Sequence, residues 1–192
     1  MAIEYVNRKG KTYYLHEGTT KTGKPKYFFS MKSDGNLVDT IPEGYEIYEN
    51  PNAQVFLRKI RQRIVTPAEV DIVQTGVKRY AQTEHCIVDV KGKYIVVYLC
   101  DQNVDALMAI PALMPHQDTA KMRETLLQST TYSPMMQFGL MDKATREFSV
   151  ERWCFRGSVD DWIELDRDRD LQALVKQYVP HLGQESFYEL TP

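Results

Sequence analysis

Two apolar runs on either side of Lys91-Gly92 form the most regular hydrophobic pattern of the chain. Both runs are rich in β-branched residues, and glycine at the second turn position supplies the positive φ that a two-residue hairpin loop requires. The pattern predicts a β-hairpin over 84–101 in which Val90 lies opposite Lys93. Because 94–99 is apolar on both faces, we expect this strand to lie inside a covered sheet.

The alternation of side chains along this hairpin defines two faces. One face is apolar and is expected to join the core: Cys86, Val88, Val90, Ile95, Val97 and Leu99. The other face carries the polar groups: His85, Ile87, Asp89, Tyr94, Val96, Tyr98 and Cys100. Since adjacent side chains of a strand point to opposite faces, His85 and Cys86 cannot act as a base and nucleophile pair in place.

Helix and strand signals alternate over the rest of residues 66–192. Thr66-Pro67-Ala68-Glu69 combines a capping box with proline at the first helical position, and it predicts a helix that ends near Tyr80. The further expected elements are a helix over 118–129 capped by Asp118, a hairpin over 135–155, a strand over 161–165 and a helix over 168–178.

The first third alternates aromatic segments with lysine-rich turns. Short strands are predicted around Tyr5, Tyr13-Tyr14 and Phe28-Phe29, and they form a compact β-meander. The stretch 53–64 admits two interpretations. Its apolar residues recur at helical spacing, which favours a basic amphipathic helix, whereas the Asn50-Pro51 turn signal favours a hairpin from 45–48 into 54–59.

Together these elements predict an α+β fold. An N-terminal basic β-meander is followed by an antiparallel sheet of two hairpins plus one strand, packed against about three helices. Residues 1–66 hold 11 Lys and Arg against 7 Asp and Glu, and residues 67–192 hold 13 against 19. We therefore divide the chain into a basic, aromatic, β-rich unit over 1–66 and an α+β domain over 67–192, which can also pack as one domain.

The composition argues against several classes of protein. With 192 residues, 43% of them hydrophobic and 26% charged, the chain has the composition of a globular protein. It has no apolar run long enough to span a bilayer and no signal peptide, so a cytoplasmic protein without a membrane partner is expected. Its three cysteines and four histidines show no disulfide or zinc spacing, and we predict no metal and no cofactor.

The leading functional hypothesis is a non-enzymatic binding or regulatory protein whose basic unit engages a polyanion, such as nucleic acid, or an acidic protein surface. Aromatic side chains beside cations are how β surfaces hold single strands. The alternative explanation is that the aromatic residues form the core of the meander and the lysines keep its turns soluble. The candidate cations are Lys21, Lys24, Lys26, Arg58, Lys59, Arg61 and Arg63.

A second hypothesis is a small enzyme that uses the polar face of the central hairpin. A histidine beside a carboxylate and two phenols can perform general acid-base catalysis or line a polar pocket. The candidate catalytic residues are His85, Asp89, Tyr94 and Tyr98. The alternative is that the histidine has only a structural role and that the aromatic rings pack within the sheet. The opposite charges of the two units also favour a homo-oligomer in which one unit docks on the other.

Overall fold

The computed structural model describes residues 2–83, 85–102, 104–109, 119–156 and 159–191. The chain divides into two compact units, Met1–Gln62 and Arg63–Pro192. Its helices and antiparallel sheets confirm the predicted α+β class, and the arrangement of these elements matches the prediction in part. That the units are separate domains stays a prediction.

The first unit consists of a three-stranded sheet and a two-stranded ribbon. The antiparallel sheet has the order β1 (Glu4–Val6), β2 (Thr12–Thr19), β3 (Pro25–Ser30), and the ribbon pairs β4 (Tyr45–Glu49) with β5 (Val55–Lys59). Hydrogen bonds join β1 and the residues just after it to the ribbon: Tyr5 Oη donates to Glu49 Oε2 (3.1 Å), Asn7 Nδ2 to the carbonyl of Ala53 (2.7 Å) and the Arg8 N–H to Glu49 Oε1 (3.3 Å).

The preferred helix over 53–64 is wrong, and the alternative hairpin is the structure that forms. Asn50 determines the turn, because its Oδ1 accepts hydrogen bonds from the backbone N–H groups of Asn52 (2.9 Å) and Gln54 (3.0 Å). Ala53 has a φ of 61°, which lies outside the right-handed helical region. The local hydrogen bonds of the asparagine therefore outweigh the helical spacing of the apolar residues.

The second unit is built on a five-stranded antiparallel sheet, and its described residues form four helices where about three were predicted. The strand order is β10-β9-β8-β7-β6. The elements in chain order are α1 (Pro67–Tyr80), β6 (Cys86–Lys91), β7 (Tyr94–Cys100), α2 (Val104–Met108), α3 (Thr119–Ser129), β8 (Tyr132–Asp142), β9 (Glu147–Arg156), β10 (Val159–Asp168) and α4 (Leu171–Tyr178), followed by 3-10 turns at Val179–His181 and Glu185–Glu189. The Asp118 cap expected for α3 lies outside the described residues.

Helix α1 begins as its sequence predicts. Thr66 Oγ1 accepts a hydrogen bond from the N–H of Glu69, and Glu69 Oε2 accepts one from the N–H of Thr66 (2.7 Å), which completes the capping box. Glu69 also accepts hydrogen bonds from Arg146 in the β8–β9 turn. Burial alone would raise the pKa of Glu69, but these bonds outweigh it and hold the pKa below its ordinary value.

One face of the large sheet packs against α1 and α4. The apolar face predicted for the central hairpin lies on this side, since Ile95 and Val97 are fully buried and Cys86, Val88, Val90 and Leu99 pack against the core. Gly76 marks the place where the two helices cross most closely, because a Cβ at this position would overlap Cγ1 of Val175 on α4. Glycine is therefore required here by packing rather than by backbone conformation.

The predicted register of the central hairpin is wrong by two residues. Val90 lies opposite Ile95 rather than Lys93, and the loop is Gly92-Lys93 with Gly92 in a positive φ of 62°. Glycine thus occupies the first loop position, which suits a type II′ turn, and not the second. Because the displacement is an even number of residues, each side chain keeps its predicted face.

At each edge of this sheet, an aspartate side chain accepts a hydrogen bond from one backbone N–H group of the edge strand. On edge strand β6, Asp89 Oδ1 accepts the N–H of Val90 (2.9 Å), and on edge strand β10, Asp161 Oδ1 accepts the N–H of Trp162 (2.7 Å). Each of these donors would otherwise be open to pairing with a strand of another molecule. Charged side chains at sheet edges oppose such association, and here they also engage the donor itself.

We expect Asp89→Ala to increase self-association through β6, because the Val90 N–H then becomes available to a second chain. One such hydrogen bond is worth about 0.5–1.5 kcal/mol, which is roughly a two- to tenfold rise in the association constant. Sedimentation velocity over a concentration series measures it. Asp89→Asn keeps the acceptor oxygen and is the control; equal association of both variants would assign the effect to charge.

Candidate functional site

The four residues of the predicted acid-base site share one hairpin but do not converge. His85 and Asp89 are four residues apart in extended chain, which is about 13 Å, beyond hydrogen-bond reach. The register places Tyr98 opposite Ile87, between these two residues, and Tyr94 opposite Lys91 near the loop. The hairpin therefore presents a row of polar groups rather than a catalytic cluster.

The centre of this face is covered. Val96 and Tyr98 are both buried, and the Tyr98 hydroxyl has no hydrogen-bond partner among the residues that the structure describes. The Lys91 ammonium lies 5.1 Å from the centroid of the Tyr98 ring. The Asp89 carboxylate is engaged by the neighbouring backbone N–H. The polar row is consistent with packing, and its catalytic role stays a prediction.

A hydrogen-bond network farther along the same face was not predicted from the sequence. Glu151 accepts one hydrogen bond on each carboxylate oxygen, from Gln137 Nε2 (2.6 Å) and from Ser149 Oγ (2.9 Å). The ring of Tyr94 lies close over Gly139, where a Cβ would be 2.7 Å from a ring carbon. The three polar side chains satisfy one another, so this network fixes the packing of β8 against β9.

The Cys86 thiol is poorly suited to nucleophilic chemistry. Burial and, to a smaller extent, the neighbouring Cys100 thiol together raise its pKa to about 11. Its Sγ donates to the carbonyl of Thr83 (3.7 Å). Because the thiolate is the reactive form, a thiol with this pKa is almost wholly protonated near neutral pH.

The described part of the chain contains no group of three or more His, Cys, Asp or Glu side chains arranged to hold a metal ion. Within the same residues, no helix is long and apolar enough to cross a membrane. Aromatic rings lie beside charged side chains on two surfaces, one in each unit.

The first aromatic surface lies on the β2–β3 hairpin of the first unit. Lys21, Lys24 and Lys26 are exposed, and none of them forms an ion pair with a described residue. The Lys26 ammonium lies 5.9 Å from the ring of Phe28, which is 41% exposed and stacks on the buried His16 at 5.4 Å. The same hairpin lines a shallow depression formed by Glu17, Gly18, Thr19, Gly23, Pro25 and Asn36.

The ribbon of the first unit carries a related arrangement. Tyr48 and Phe56 stack with ring centroids 6.5 Å apart, and Phe56 is 45% exposed. The Arg58 guanidinium lies 3.9 Å from the centroid of the Tyr48 ring, and its Nε donates to Glu46 Oε1 (2.8 Å). One cation of the predicted set is thus already paired with a carboxylate.

The structure brings most of the predicted cations onto the first unit. Strand β3 contacts β5, so the lysine hairpin and the basic end of the ribbon belong to one body. Lys59 and Arg61 are exposed there, whereas Arg63 belongs to the second unit. Tyr5 and Asn7 anchor the ribbon, and the exposed rings are Phe28 and Phe56.

The second aromatic surface lies on β9 and β10 and was also missed. Trp153 and Trp162 are directly opposite each other, and Phe155 lies beside Trp153. The sequence held a signal for this pairing, because Gly-Ser is a dipeptide that favours two-residue hairpin turns and the two tryptophans are at equal sequence distances from it. Each strand was predicted separately, and the pairing was not.

Comparison with protein-family models, with curated proteins and with solved structures finds no match to this chain. The functional argument therefore rests on the chemistry of the described surfaces.

Proposed function

We propose that the protein is a non-enzymatic binding protein whose first unit holds single-stranded nucleic acid. The observation that supports the proposal is the combination of exposed rings with cations on one small body. Phe28 lies beside unpaired Lys26, with Lys21 and Lys24 in the adjoining turn, and Phe56 belongs to the ribbon that carries Lys59.

The two components of this surface have different roles. Lysines that replace condensed counterions supply affinity that depends steeply on salt. The logarithm of the binding constant falls with the logarithm of the salt concentration, with a slope of about −0.7 per phosphate contact on a single strand. An exposed ring supplies stacking worth about 1–3 kcal/mol per base without regard to sequence. Stacking favours a single strand over a duplex, because only unpaired bases offer a free face.

The other hypotheses have less support. An acidic protein surface would use the lysines but does not require planar rings beside them. The acid-base alternative requires His85 and Asp89 to act together, and the hairpin holds them about 13 Å apart. The cytoplasmic location and the homo-oligomer stay predictions.

A labelled oligothymidine titrated into the full chain at low salt tests the proposal. We expect binding that weakens as salt rises and that Lys24→Glu with Lys26→Glu reduces by about tenfold or more, since two attractive charges become repulsive. Lys143→Glu, in an exposed turn of the second unit, is the matched control and should change little.

A second variant separates stacking from charge. Phe28→Leu keeps apolar volume but removes the planar ring, and it should weaken binding about five- to tenfold with an unchanged salt slope. Absence of binding at low salt would reject the nucleic-acid proposal. Equal competition by a polyglutamate peptide, with Phe28→Leu unaffected, would instead indicate an acidic protein partner.

A further inference from the structure

Both tryptophans of the chain meet in one cross-strand pair. The rings of Trp153 and Trp162 have centroids 5.1 Å apart and are nearly perpendicular, and Phe155 lies 6.3 Å from Trp153. We name Trp153, Phe155 and Trp162 the aromatic patch. Phe155 is 54% exposed and the tryptophans are partly exposed, so the rings are available to a ligand.

The backbone explains why these rings lie together and why they face away from the core. The N–H of Trp162 donates to Asp161 instead of β9, which makes Trp153 and Trp162 a non-hydrogen-bonded pair, the type with the closest side chains. On β9, Arg152 and Cys154 are buried, and Trp153 and Phe155 alternate with them. The aromatic patch therefore lies on the sheet face opposite the α1 and α4 side.

One carboxylate is held against the aromatic patch. Asp160 is exposed, and its Oδ1 accepts a hydrogen bond from Trp153 Nε1 (3.0 Å). Asp161 is the next residue along β10, so its side chain belongs to the opposite face of the sheet. Glu164 shares the patch face but is engaged by Arg167, which donates two hydrogen bonds to it (2.6 and 2.8 Å). The patch thus combines open ring surface with one oriented carboxylate that forms no ion pair with a described residue.

We propose that the aromatic patch with Asp160 binds a basic peptide segment through an arginine side chain. A guanidinium is planar, stacks on indole faces and forms charge-assisted hydrogen bonds with carboxylates. Residues 67–192 carry a charge balance of −6, which attracts basic partners and repels nucleic acid. A neutral sugar can stack on the same rings but gains nothing from the negative charge of this unit.

This inference is independent of the proposed nucleic-acid surface. It uses residues of the second unit alone, and the variants that test it leave Lys24, Lys26 and Phe28 unchanged. Failure of either proposal is therefore distinguishable from failure of the other.

Intrinsic fluorescence reports directly on this site, because the chain has no other tryptophan. The full chain is titrated at low salt with end-blocked tetra-arginine, tetra-lysine and tetra-glutamate peptides. We expect a saturable change with the arginine peptide, a weaker one with the lysine peptide, which lacks the planar group, and none with the glutamate peptide.

Matched variants test the carboxylate while keeping the fold. Asp160→Asn keeps the acceptor oxygen and both tryptophans, and it should weaken arginine-peptide binding about two- to fivefold. Asp71→Asn, an exposed acid on α1, is the control and should leave binding unchanged. Phe155→Leu should weaken binding while keeping the fluorescent pair.

Three outcomes would overturn the proposal. The first is no saturable change with the arginine peptide while circular dichroism shows a folded chain. The second is full retention of binding by Asp160→Asn. The third is an equal response to a neutral maltooligosaccharide, which would indicate a sugar-stacking surface.

Discussion

Gly76→Ala is expected to destabilise the second unit by about 2 kcal/mol net, because so close an overlap falls at the upper end of the about 1–3 kcal/mol that extra atoms cost in a packed core. The added Cβ would overlap Cγ1 of Val175 and lie 3.8 Å from the Tyr80 ring. Alanine in a helix interior gains about 1 kcal/mol over glycine from helix propensity. Since Val175 is β-branched and buried, it cannot rotate away, and the clash outweighs that gain.

Urea denaturation of a double-mutant cycle tests this prediction. Val175→Ala alone removes buried methyl groups and should also destabilise the unit, but it opens space opposite Gly76. The double variant should therefore be more stable than the sum of the two single effects by about 1–2 kcal/mol. A Gly76→Ala variant that is more stable than the native chain would contradict the close crossing of α1 and α4.

Arg152→Met is expected to cost about 2–3 kcal/mol, because it leaves several hydrogen-bond acceptors of the C-terminal segment without a donor. Arg152 is 4% exposed, and its guanidinium donates to the carbonyls of Leu190 (2.7 Å), Tyr188 (3.5 Å) and Trp153 (3.4 Å). No described carboxylate forms an ion pair with it. Methionine keeps much of the apolar stem, so the loss reports chiefly on the hydrogen bonds.

The matched control is Arg167→Met on the neighbouring strand. Arg167 is exposed and pairs with Glu164, and such surface ion pairs contribute about 0–1 kcal/mol. Urea denaturation measures both variants, and amide hydrogen exchange should show local loss of protection around Phe187 and Leu190 in Arg152→Met alone. Equal effects of the two substitutions would show that the C-terminal segment does not depend on Arg152.

Strand positions and faces were predictable because they depend on a local alternation. The central hairpin shows this well: Ile95 and Val97 are buried as expected, although the register is displaced by two residues. Face membership follows from the parity of a position. Register depends on which loop position glycine occupies, and the sequence Val90-Lys91-Gly92-Lys93 is compatible with both.

The prediction for the ribbon was wrong for a related reason. Periodicity of apolar residues over 53–64 fits a helix, but the turn at Asn50 brings β5 back along β4 before a helix can begin. Side-chain hydrogen bonds to the backbone of two residues determined the outcome, and a periodicity argument does not include them.

The candidate sites were predictable as surfaces but not as contacts. The lysines of the β2–β3 hairpin are exposed as a turn-rich segment implies, whereas the pairing of Arg58 with Glu46 depends on the strand register that the sequence left open. The aromatic patch required the pairing of β9 with β10. A site formed by side chains of two strands can be predicted only when the register of those strands is known.

The crossing of α1 and α4 also bears on how the second unit folds. Every strand of the large sheet pairs with a strand adjacent to it in the chain, and three of the four connections are short loops, the exception being the β7–β8 connection that carries α2 and α3. The two helices instead meet across roughly a hundred residues, which makes their contact the costliest closure in entropy. We expect hairpin formation to precede helix docking, with the Gly76 contact acting mainly on the rate of unfolding.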